Sequence, residues 1–151
     1  MTMRIGIIGF GQRARMHELL RNPELDAQVT AVYDTSERGR TAAAAELPLA
    51  FITESLDELL AQPLDAVMVL TPDDQHAEPV IRSLEAGLAV FTEKPVATTL
   101  EDADRILATA HRTGSRLYVG HNMRHMPVVV LMKQLIDDGR IGEVKAATRL
   151  I

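Results

Sequence analysis

The sequence predicts an α/β domain built as a doubly wound parallel sheet of the Rossmann type, and three observations lead to this prediction. Apolar runs of four to six residues alternate with longer amphipathic stretches, which is the pattern of βα units around a parallel sheet. Some runs are apolar on both faces of the pleat, as in Val67-Met68-Val69-Leu70, which is typical of strands covered by helices on both sides. The first strand leads into a glycine-rich turn that opens a helix.

The strands are predicted in chain order at Arg4–Ile8, Gln28–Tyr33, Ala50–Ile52, Ala66–Leu70, Leu88–Phe91 and Arg116–Val119. The helices between them have recognisable ends. Ser55 followed by Glu58 is a capping-box pattern, and Thr99 followed by Asp102 is a weaker version of it. The positions where a left-handed residue would close a helix are occupied by Gly87 and Gly114. Right-handed crossovers between parallel strands would stack these units into one sheet.

Residues 123–151 are predicted to leave this domain, which we expect to comprise residues 1–122. A helix over Pro127–Asp138 stops at Gly139, and Ile141–Ile151 is predicted to be a strand. A lone terminal strand exposes unpaired backbone groups, which native proteins normally cover. We therefore expect this segment to begin a truncated second α/β domain of a longer protein. The strand could also pair with its copy in a homo-oligomer.

Composition excludes several classes of function. A length of 151 residues fits one domain, and a net charge of −5 argues against binding to nucleic acid or to anionic membranes. The absence of cysteine excludes disulfides, thiolate metal sites and cysteine nucleophiles. No apolar run approaches the ~18–20 residues of a membrane span, and the amino terminus is too short and strand-like for a signal peptide. A soluble, cytoplasmic protein is the expectation.

The strongest chemical signal is the turn Gly9-Phe10-Gly11-Gln12-Arg13-Ala14, which matches Gly-x-Gly-x-x-Gly/Ala. Gly9 would allow the tight turn, Gly11 would let the backbone approach a pyrophosphate, and Ala14 would let the helix pack closely on the strand. The amino end of the helix would offer free N–H groups to the phosphates. Phe10, Gln12 and Arg13 complete the predicted cofactor-binding turn.

The turn predicts the binding of a dinucleotide, and the choice between NAD and NADP depends on Asp34, which follows the second strand 23 residues beyond Gly11. A carboxylate at this place can accept hydrogen bonds from both hydroxyls of the adenosine ribose, and it would repel the 2′-phosphate of NADP. NAD is therefore favoured over NADP. Arg38 and Arg40 could serve a phosphate, but they fit equally well on the solvated face of a helix over Ser36–Glu46.

Two histidines near the last helix have the spacing of a metal site but lack its other features. His121 and His125 are four residues apart, which would let two imidazoles share a metal on a helix. No acidic residue lies between them, no third ligand is evident, and Pro127 disturbs the helix start. We expect no metal.

Further stretches carry a resemblance to a known family. They are Thr71-Pro72-Asp73-Asp74-Gln75-His76-Ala77-Glu78 after the fourth strand, Glu93-Lys94-Pro95 after the fifth, and Arg124 with Pro127 at the last helix. Together with the glycine turn and His17, they resemble the N-terminal domain of the Gfo/Idh/MocA oxidoreductases (glucose–fructose oxidoreductase and inositol dehydrogenase). The sequence departs from that pattern at Asp73, where the family often has Asn.

The resemblance implies a nicotinamide cofactor across the carboxyl ends of the strands and a second domain that completes the site. Thr71, Glu93, Lys94 and Asn122 all follow strands, where ligands of open α/β sheets bind. Lys94 is the predicted catalytic residue, since a hydroxyl that loses hydride must also pass on its proton. Pro95 would fix the backbone beyond it through a bond that could be cis. Further predicted cofactor contacts are Glu93 to the nicotinamide ribose, and Thr71, Pro72, His76, Lys94 and Asn122; Lys94, Asn122 and Arg124 are also expected near the substrate.

The function predicted is NAD-dependent hydride transfer to or from a sugar, polyol or related hydroxyl compound. A histidine that commonly partners the lysine would come from the second domain, so this chain alone is expected to bind cofactor without turnover. The same resemblance covers members that use NAD for elimination or glycoside cleavage. The fold is also compatible with a non-catalytic dinucleotide sensor, or with a domain that binds another nucleotide such as coenzyme A.

Overall fold

The structure is a computed structural model, and it describes residues 2–148. Six parallel strands form one sheet, in the order β3-β2-β1-β4-β5-β6. Their bounds are β1 Met3–Ile8, β2 Ala27–Tyr33, β3 Phe51–Thr53, β4 Ala66–Val69, β5 Ala89–Glu93 and β6 Leu117–Gly120. This order places a topological switch between β1 and β4, as in the dinucleotide-binding Rossmann fold. The predicted fold class is confirmed, and each of the six strands predicted between residues 4 and 119 is present within two residues of its bounds.

The helices of residues 2–120 cover both faces of the sheet, and one further helix lies in the residues that follow. The α-helices are α1 Glu37–Glu46, α2 Leu56–Leu60, α3 Ala77–Glu85, α4 Leu100–Thr113 and α5 Pro127–Asp137. One apolar cluster joins Ile8 and the residues on its side of the sheet to α2, α3 and α4. A second cluster, around Ile7 on the opposite face, includes Ala14 and Ala43. Because neighbouring residues of β1 enter different clusters, the sheet is apolar on both sides, as its sequence predicts.

The first helix differs from the α-helix that its position suggests. Gln12–Arg21 is wound as a 3₁₀ helix of 10 residues. His17 on this helix is 2 % exposed, and its Nδ1 lies 2.6 Å from the Ala14 carbonyl oxygen three residues earlier. That oxygen lies in the first turn of the helix, so the side chain bonds locally to the helix backbone. His17 is therefore a packed residue of this domain.

The predicted helix ends are present, with one change in detail. The Thr99 hydroxyl caps α4 by accepting from the Asp102 N–H at 3.1 Å, and Gly114 closes that helix at φ +68°. Ser55 caps α2 by accepting from the Glu58 N–H at 3.3 Å. The Glu58 carboxylate does not reach back to the Ser55 N–H as in a capping box, because it accepts a hydrogen bond from Thr53 instead.

The described chain divides into two compact units, at Gly120 and His121. The second contains a 3₁₀ turn at Asn122–His125 and helix α5. The predicted strand is wrong for residues 141–148, which have turn and irregular backbone, and its last residues 149–151 lie outside the described part. A strand takes its hydrogen bonds from a neighbouring strand, and no described strand pairs with this segment. Between residues 2 and 148, no helix has the length and apolar character needed to cross a bilayer.

Candidate functional site

The turn after β1 is built around Gly9, which has a positive φ of +90°. Its N–H donates to the Tyr33 carbonyl at 2.8 Å, which ties the turn to the end of β2. A Cβ at this position would lie 2.9 Å from the backbone nitrogen of Thr71, after β4. Glycine is therefore required twice, for the left-handed backbone and for the close approach of the two strand ends. The predicted role of Gly9 in the tight turn is confirmed.

The amino end of the first helix is open to solvent. Gly11 precedes the helix with extended backbone, and a Cβ built on it would meet no atom within 4 Å. Gln12 and Arg13 are exposed, and the first turn contains no acidic residue. The N–H groups that open a helix have no intrahelical acceptor, so they can donate to an anion here. Ala14 is 3 % exposed and packs in the second cluster, as predicted.

Asp34 joins the glycine turn to the start of α1. Its Oδ2 accepts a hydrogen bond from the Phe10 N–H at 2.6 Å. Its Oδ1 accepts from the N–H and the hydroxyl of Ser36 at 2.7 and 2.6 Å. A carboxylate offers about four acceptor positions, so Oδ2 retains room for one more donor. Phe10 was predicted as a cofactor contact, but its N–H is engaged by Asp34 and its ring is 5 % exposed.

Two cavities meet at Asp34. One, of about 630 Å³, is lined by Gly9, Gly11 and Asp34 on one side and by Thr71 and Pro72 on the other. It therefore lies across the switch point between β1 and β4, where open α/β sheets bind ligands. The other, of about 620 Å³, is lined by Gly11, Gln12, Asp34, Arg15, Ser36, Arg38 and Gly39.

The two arginines after β2 have different surroundings. Arg40 donates to the carbonyl oxygens of Asp34 and Thr35, at 3.0 and 2.9 Å, and pairs with Glu54 at 2.9 Å. Arg38 is exposed at the wall of the 620 Å³ cavity. Arg40, a residue of α1, thus has a structural role in holding the loop that joins β2 to α1. Arg38 keeps its guanidinium available to a ligand.

Gly39, within α1, was missed by the sequence reasoning. It is buried directly beneath Asp34, and a Cβ built on it would lie 2.3 Å from the Asp34 Cγ. Its N–H donates to the Ser36 hydroxyl at 3.1 Å. The available signal was a glycine inside an otherwise good helix-forming run, where it is unfavourable by about 1 kcal/mol relative to alanine.

His76 lies at the start of α3 and is completely buried. Its Nδ1 lies 2.7 Å from the Pro95 carbonyl oxygen, and its Nε2 lies 3.0 Å from that of Thr71. The ring therefore links the loop after β4 to the loop after β5. Because both nitrogens face backbone carbonyls, His76 supports the site rather than offering a nitrogen to a cofactor, which corrects the predicted direct contact.

The end of β5 presents Glu93 and Lys94 in contrasting environments. Glu93 is 4 % exposed, and its Oε1 has no hydrogen-bond partner in the described chain. Lys94 follows in the bend and is exposed. The Lys94–Pro95 bond is cis, as the sequence analysis allowed. A buried carboxylate oxygen without a donor is costly, so Glu93 calls for a hydrogen-bond donor that the described chain does not supply.

The remaining predicted residues lie in the second unit. Asn122 and Arg124 are exposed in the 3₁₀ turn Asn122–His125. The structure thus brings together Gly9, Gly11, Asp34 and Thr71, while Asn122 and Arg124 stand in a unit of their own. Across residues 2–148, no group of three or more histidine and acidic side chains is arranged to hold a metal.

Two side chains with shifted pKa values, Arg4 and Asp65, lie at the opposite end of the sheet from this site. Arg4, at the start of β1, donates two side-chain hydrogen bonds to Asp65, and its backbone N–H donates a third. These bonds lower the pKa of Asp65 to about 2, chiefly through the guanidinium, and Asp65 in turn raises the pKa of Arg4. This pair ties β1 to the loop before β4 and takes no part in the candidate site.

Comparisons with known proteins agree with this geometry. Residues 3–121 match a family described as an oxidoreductase family with an NAD-binding Rossmann fold. The chain is 35 % identical over 148 residues to inositol 2-dehydrogenase of Rhizobium meliloti (strain 1021), covering 98 % of this chain and 44 % of that protein. It is 37 % identical over 145 residues to 2,7-anhydro-N-acetylneuraminate hydratase of Mediterraneibacter gnavus, covering 95 % of this chain and 38 % of that protein.

Among solved structures, the chain resembles the WlbA dehydrogenase from Bordetella pertussis in complex with NADH and UDP-GlcNAcA. The TM-score is 0.88 at 30 % identity, covering 94 % of this chain and 44 % of the other. The chain thus spans less than half the length of these relatives.

Proposed function

This chain belongs to the Gfo/Idh/MocA oxidoreductase family, and from that membership we propose that its residues 2–120 bind NAD. We propose further that the protein transfers hydride between NAD and a sugar, polyol or related hydroxyl compound. The observation that carries the proposal is the open amino end of the first helix, which borders a cavity at the switch point of the sheet.

The phosphates of the cofactor fit the backbone of the glycine turn. Gly11 leaves space where a side chain would stand, and the helix that follows has no side-chain cap and no acidic residue in its first turn. A helix terminus of this kind attracts anions through its donors and its partial positive charge. Gln12 and Arg13 are exposed beside these donors, so their side chains can also reach a phosphate.

The adenosine ribose fits Asp34, which lines both cavities. Its Oδ2 accepts one hydrogen bond from Phe10 and can accept a second from a ribose hydroxyl. With Oδ1 engaged twice by Ser36, one strong contact is expected rather than the two predicted from sequence. The same negative charge opposes a 2′-phosphate, which supports NAD over NADP.

The nicotinamide end fits the residues after β5. The Oε1 of Glu93 lacks a donor in the described chain, so a ribose hydroxyl that reached it would satisfy a buried acceptor. Thr71 and Pro72 form the opposite wall of the 630 Å³ cavity, and His76 holds the two loops together.

NAD, when bound, supplies a hydride acceptor, and Lys94 is the residue we assign to the proton. A carbon that gives up hydride can do so only as its hydroxyl proton is lost, so a group beside that hydroxyl must accept or share the proton. The Lys94 side chain is exposed after the carboxyl end of β5. The residues that we propose to bind the cofactor also follow the carboxyl ends of strands. It is the group of this chain that we expect to hydrogen-bond the reacting hydroxyl.

The substrate side of the proposal involves residues 123–151, which we assign to a second domain. In α5 no residue is buried, and Asn122 and Arg124 just before it are exposed. We expect a second catalytic residue from beyond this chain, and therefore no turnover by the chain alone. A cytoplasmic location and a homo-oligomeric state are part of the same proposal; the apolar surface of α5 supports an association.

Titration calorimetry of the chain with NAD, NADP and coenzyme A tests the cofactor. We expect binding of NAD, weaker binding of NADP, and none of coenzyme A. Gly11→Val should abolish the binding of NAD, because its side chain would fill the space left for the phosphates. Ala45→Val, at an exposed position of α1, adds the same bulk elsewhere and should leave it intact. Absence of binding by the folded wild-type chain, or full binding by Gly11→Val, would overturn the proposal.

A further inference from the structure

We infer that Gly39 is a specificity-determining residue: its missing side chain is what allows Asp34 to occupy the place from which it selects the unphosphorylated ribose. This inference rests on the proposed binding of NAD. The residue itself makes no direct contact in that proposal, so it acts as a positioning residue through Asp34.

The placement of Asp34 depends on contact with the Cα of Gly39. A Cβ built there would lie 2.3 Å from the Asp34 Cγ, 2.5 Å from Oδ2 and 2.6 Å from Oδ1. Non-bonded carbon atoms approach favourably only to about 3.5–4.0 Å. Any side chain at position 39 would therefore have to displace the whole carboxylate.

Displacement of the carboxylate is costly because it is held by three donors. Oδ2 accepts from the Phe10 N–H at 2.6 Å, and Oδ1 accepts from the N–H and hydroxyl of Ser36 at 2.7 and 2.6 Å. The Ser36 hydroxyl in turn accepts from the Gly39 N–H at 3.1 Å. Asp34, Ser36 and Gly39 thus form one hydrogen-bonded chain at the start of α1, and a Cβ on Gly39 would disrupt it from within.

The helix offers no reason of its own for a glycine at this place. Gly39 is the third residue of α1, its φ is not in the left-handed region, and the residues after it include a run of alanines. An alanine at position 39 would favour the helix. The three atoms nearest to a Cβ at this position all belong to Asp34, and their contacts require the glycine.

The surroundings connect this contact to the choice between NAD and NADP. Gly39 and Asp34 line the 620 Å³ cavity together with Arg15 and Arg38, which are exposed cations. With Asp34 in place, its negative charge opposes a 2′-phosphate in that cavity. With the carboxylate displaced, the two guanidinium groups would remain to attract the phosphate.

The test is a double-mutant cycle on the chain, with NAD and NADP affinities measured by calorimetry. Gly39→Ala should weaken NAD binding by at least about tenfold, the loss expected for a hydrogen bond to a charged group. Its affinity for NADP should fall less or rise, so that the ratio of the two affinities falls. In the Asp34→Ala background, the same substitution should change NAD affinity by less than about twofold, because the two residues act together.

Ala44→Gly is the matched control, because it exchanges the same two residue types at an exposed position of the same helix. It should alter helix stability without altering either affinity. An equal loss of NAD affinity from Gly39→Ala in both backgrounds would overturn the inference, since Gly39 would then act independently of Asp34.

A readout without cofactor separates this inference from the proposed function. In the free chain, the Phe10 amide donates to Asp34, so its NMR shift and hydrogen exchange report the position of the carboxylate. Gly39→Ala should change both as Asp34→Ala does, and Ala44→Gly should change neither. An unchanged Phe10 amide in Gly39→Ala would refute the inference even if NAD binds.

If Gly39→Ala alone does not fold, the double variant with Asp34→Ala decides the question. Removing the carboxylate vacates the space that the new Cβ needs, so recovery of folding in the double variant supports the contact. Continued failure to fold would contradict it.

Discussion

Helices α3 and α5 are similar in length and both carry large apolar side chains, yet these side chains have opposite environments. In α3, Val80 and Leu84 are completely buried. In α5, no residue is buried, and Leu131 and Met132 are 53 and 56 % exposed. Helix α3 lies against a sheet formed entirely within residues 2–120, whereas residues 121–148 contain no strand. An apolar helix face becomes a core only where the chain supplies a second layer.

The boundary between Gly120 and His121 also divides the predicted site residues into two groups. The groups assigned to the cofactor lie in residues 2–120, and several are held by hydrogen bonds, such as those of Asp34 and His76. Asn122 and Arg124, expected near the substrate, are exposed in the other unit. The residues that we propose to bind the cofactor therefore lie together within residues 2–120 (the assembled half), whereas those that we propose to lie near the substrate are in the other unit.

The largest effect is expected at Lys94, the one residue of the assembled half to which we assign chemistry. In a protein that joins this chain to a second domain, Lys94→Ala should lower kcat by about 10²–10⁴-fold, the usual contribution of a positioned acid or base. The affinity for NAD should stay within about twofold, because Lys94 is not needed to hold the cofactor.

Steady-state kinetics with a panel of polyols and sugars, together with NAD titration, measures both quantities. Lys133→Ala is the control, since Lys133 is an exposed lysine of α5 paired with Asp137. A Lys94→Ala variant with normal kcat would indicate a dinucleotide sensor or a different acid–base residue.

A matched pair of leucines tests the structural comparison directly. Leu84→Ala in α3 should destabilise the chain by about 2–5 kcal/mol, because it empties a fully buried position. Leu131→Ala in α5 should change the free energy of unfolding by less than about 0.5 kcal/mol, because the side chain is already half exposed. Urea denaturation followed by circular dichroism measures both. A large loss at Leu131 would show that α5 is covered in solution.

An intermediate effect is expected at His76, which joins two loops of the assembled half. His76→Ala should destabilise the chain by about 1–3 kcal/mol, since it empties a buried position and removes the contacts of the ring with the carbonyl oxygens of Pro95 and Thr71. Asn places a donor near the Nδ1 position and Gln near Nε2, so each should recover part of the loss. Thermal unfolding of the three variants measures this. Equal stability of His76→Ala and wild type would contradict the link.

The smallest effect concerns Asp65, whose pKa is lowered to about 2 by Arg4. A carboxylate with a lowered pKa in the folded state stabilises it above the ordinary pKa of 3.8, and this contribution is lost as the pH falls through about 2. Both side chains are partly exposed, at 37 and 40 %, so the effect is modest.

Unfolding followed between pH 5 and pH 2 should show a smaller acid-dependent loss for Asp65→Asn than for wild type. Asp104→Asn, at an exposed position of α4, should behave like wild type. Identical acid profiles for Asp65→Asn and wild type would show that the pair adds no stability.

Much of the fold could be predicted because the local sequence carries its physical cause. Strands apolar on both faces indicate a sheet between helices, and the observed strands confirm it. Gly9 and Gly114 stand where the backbone is left-handed, which few other residues tolerate. The expected strand over residues 141–148 failed because an apolar pattern does not reveal whether a pairing partner exists.

Parts of the site could not be predicted because they depend on contacts between distant segments. Asp34 was expected to accept hydrogen bonds from both ribose hydroxyls, but the Phe10 N–H from the glycine turn already donates to one of its oxygens. His76 was expected to touch the cofactor, but the fold places carbonyls from two loops at its nitrogens. A donor or an acceptor that comes from another loop cannot be recognised in the local sequence pattern.

The apolar strands, the glycine turn and the helix caps could be predicted from the sequence, since each depends on residues close together in the chain, and motifs spaced along the chain indicated the family. Three features became visible only in the folded structure: the contact of Gly39 with Asp34, the link that His76 makes between two loops, and the buried Glu93 oxygen that has no donor among the described residues. Spacing along the chain sets backbone conformation and apolar faces, whereas a hydrogen bond or a steric contact depends on which segments the fold brings within a few ångströms.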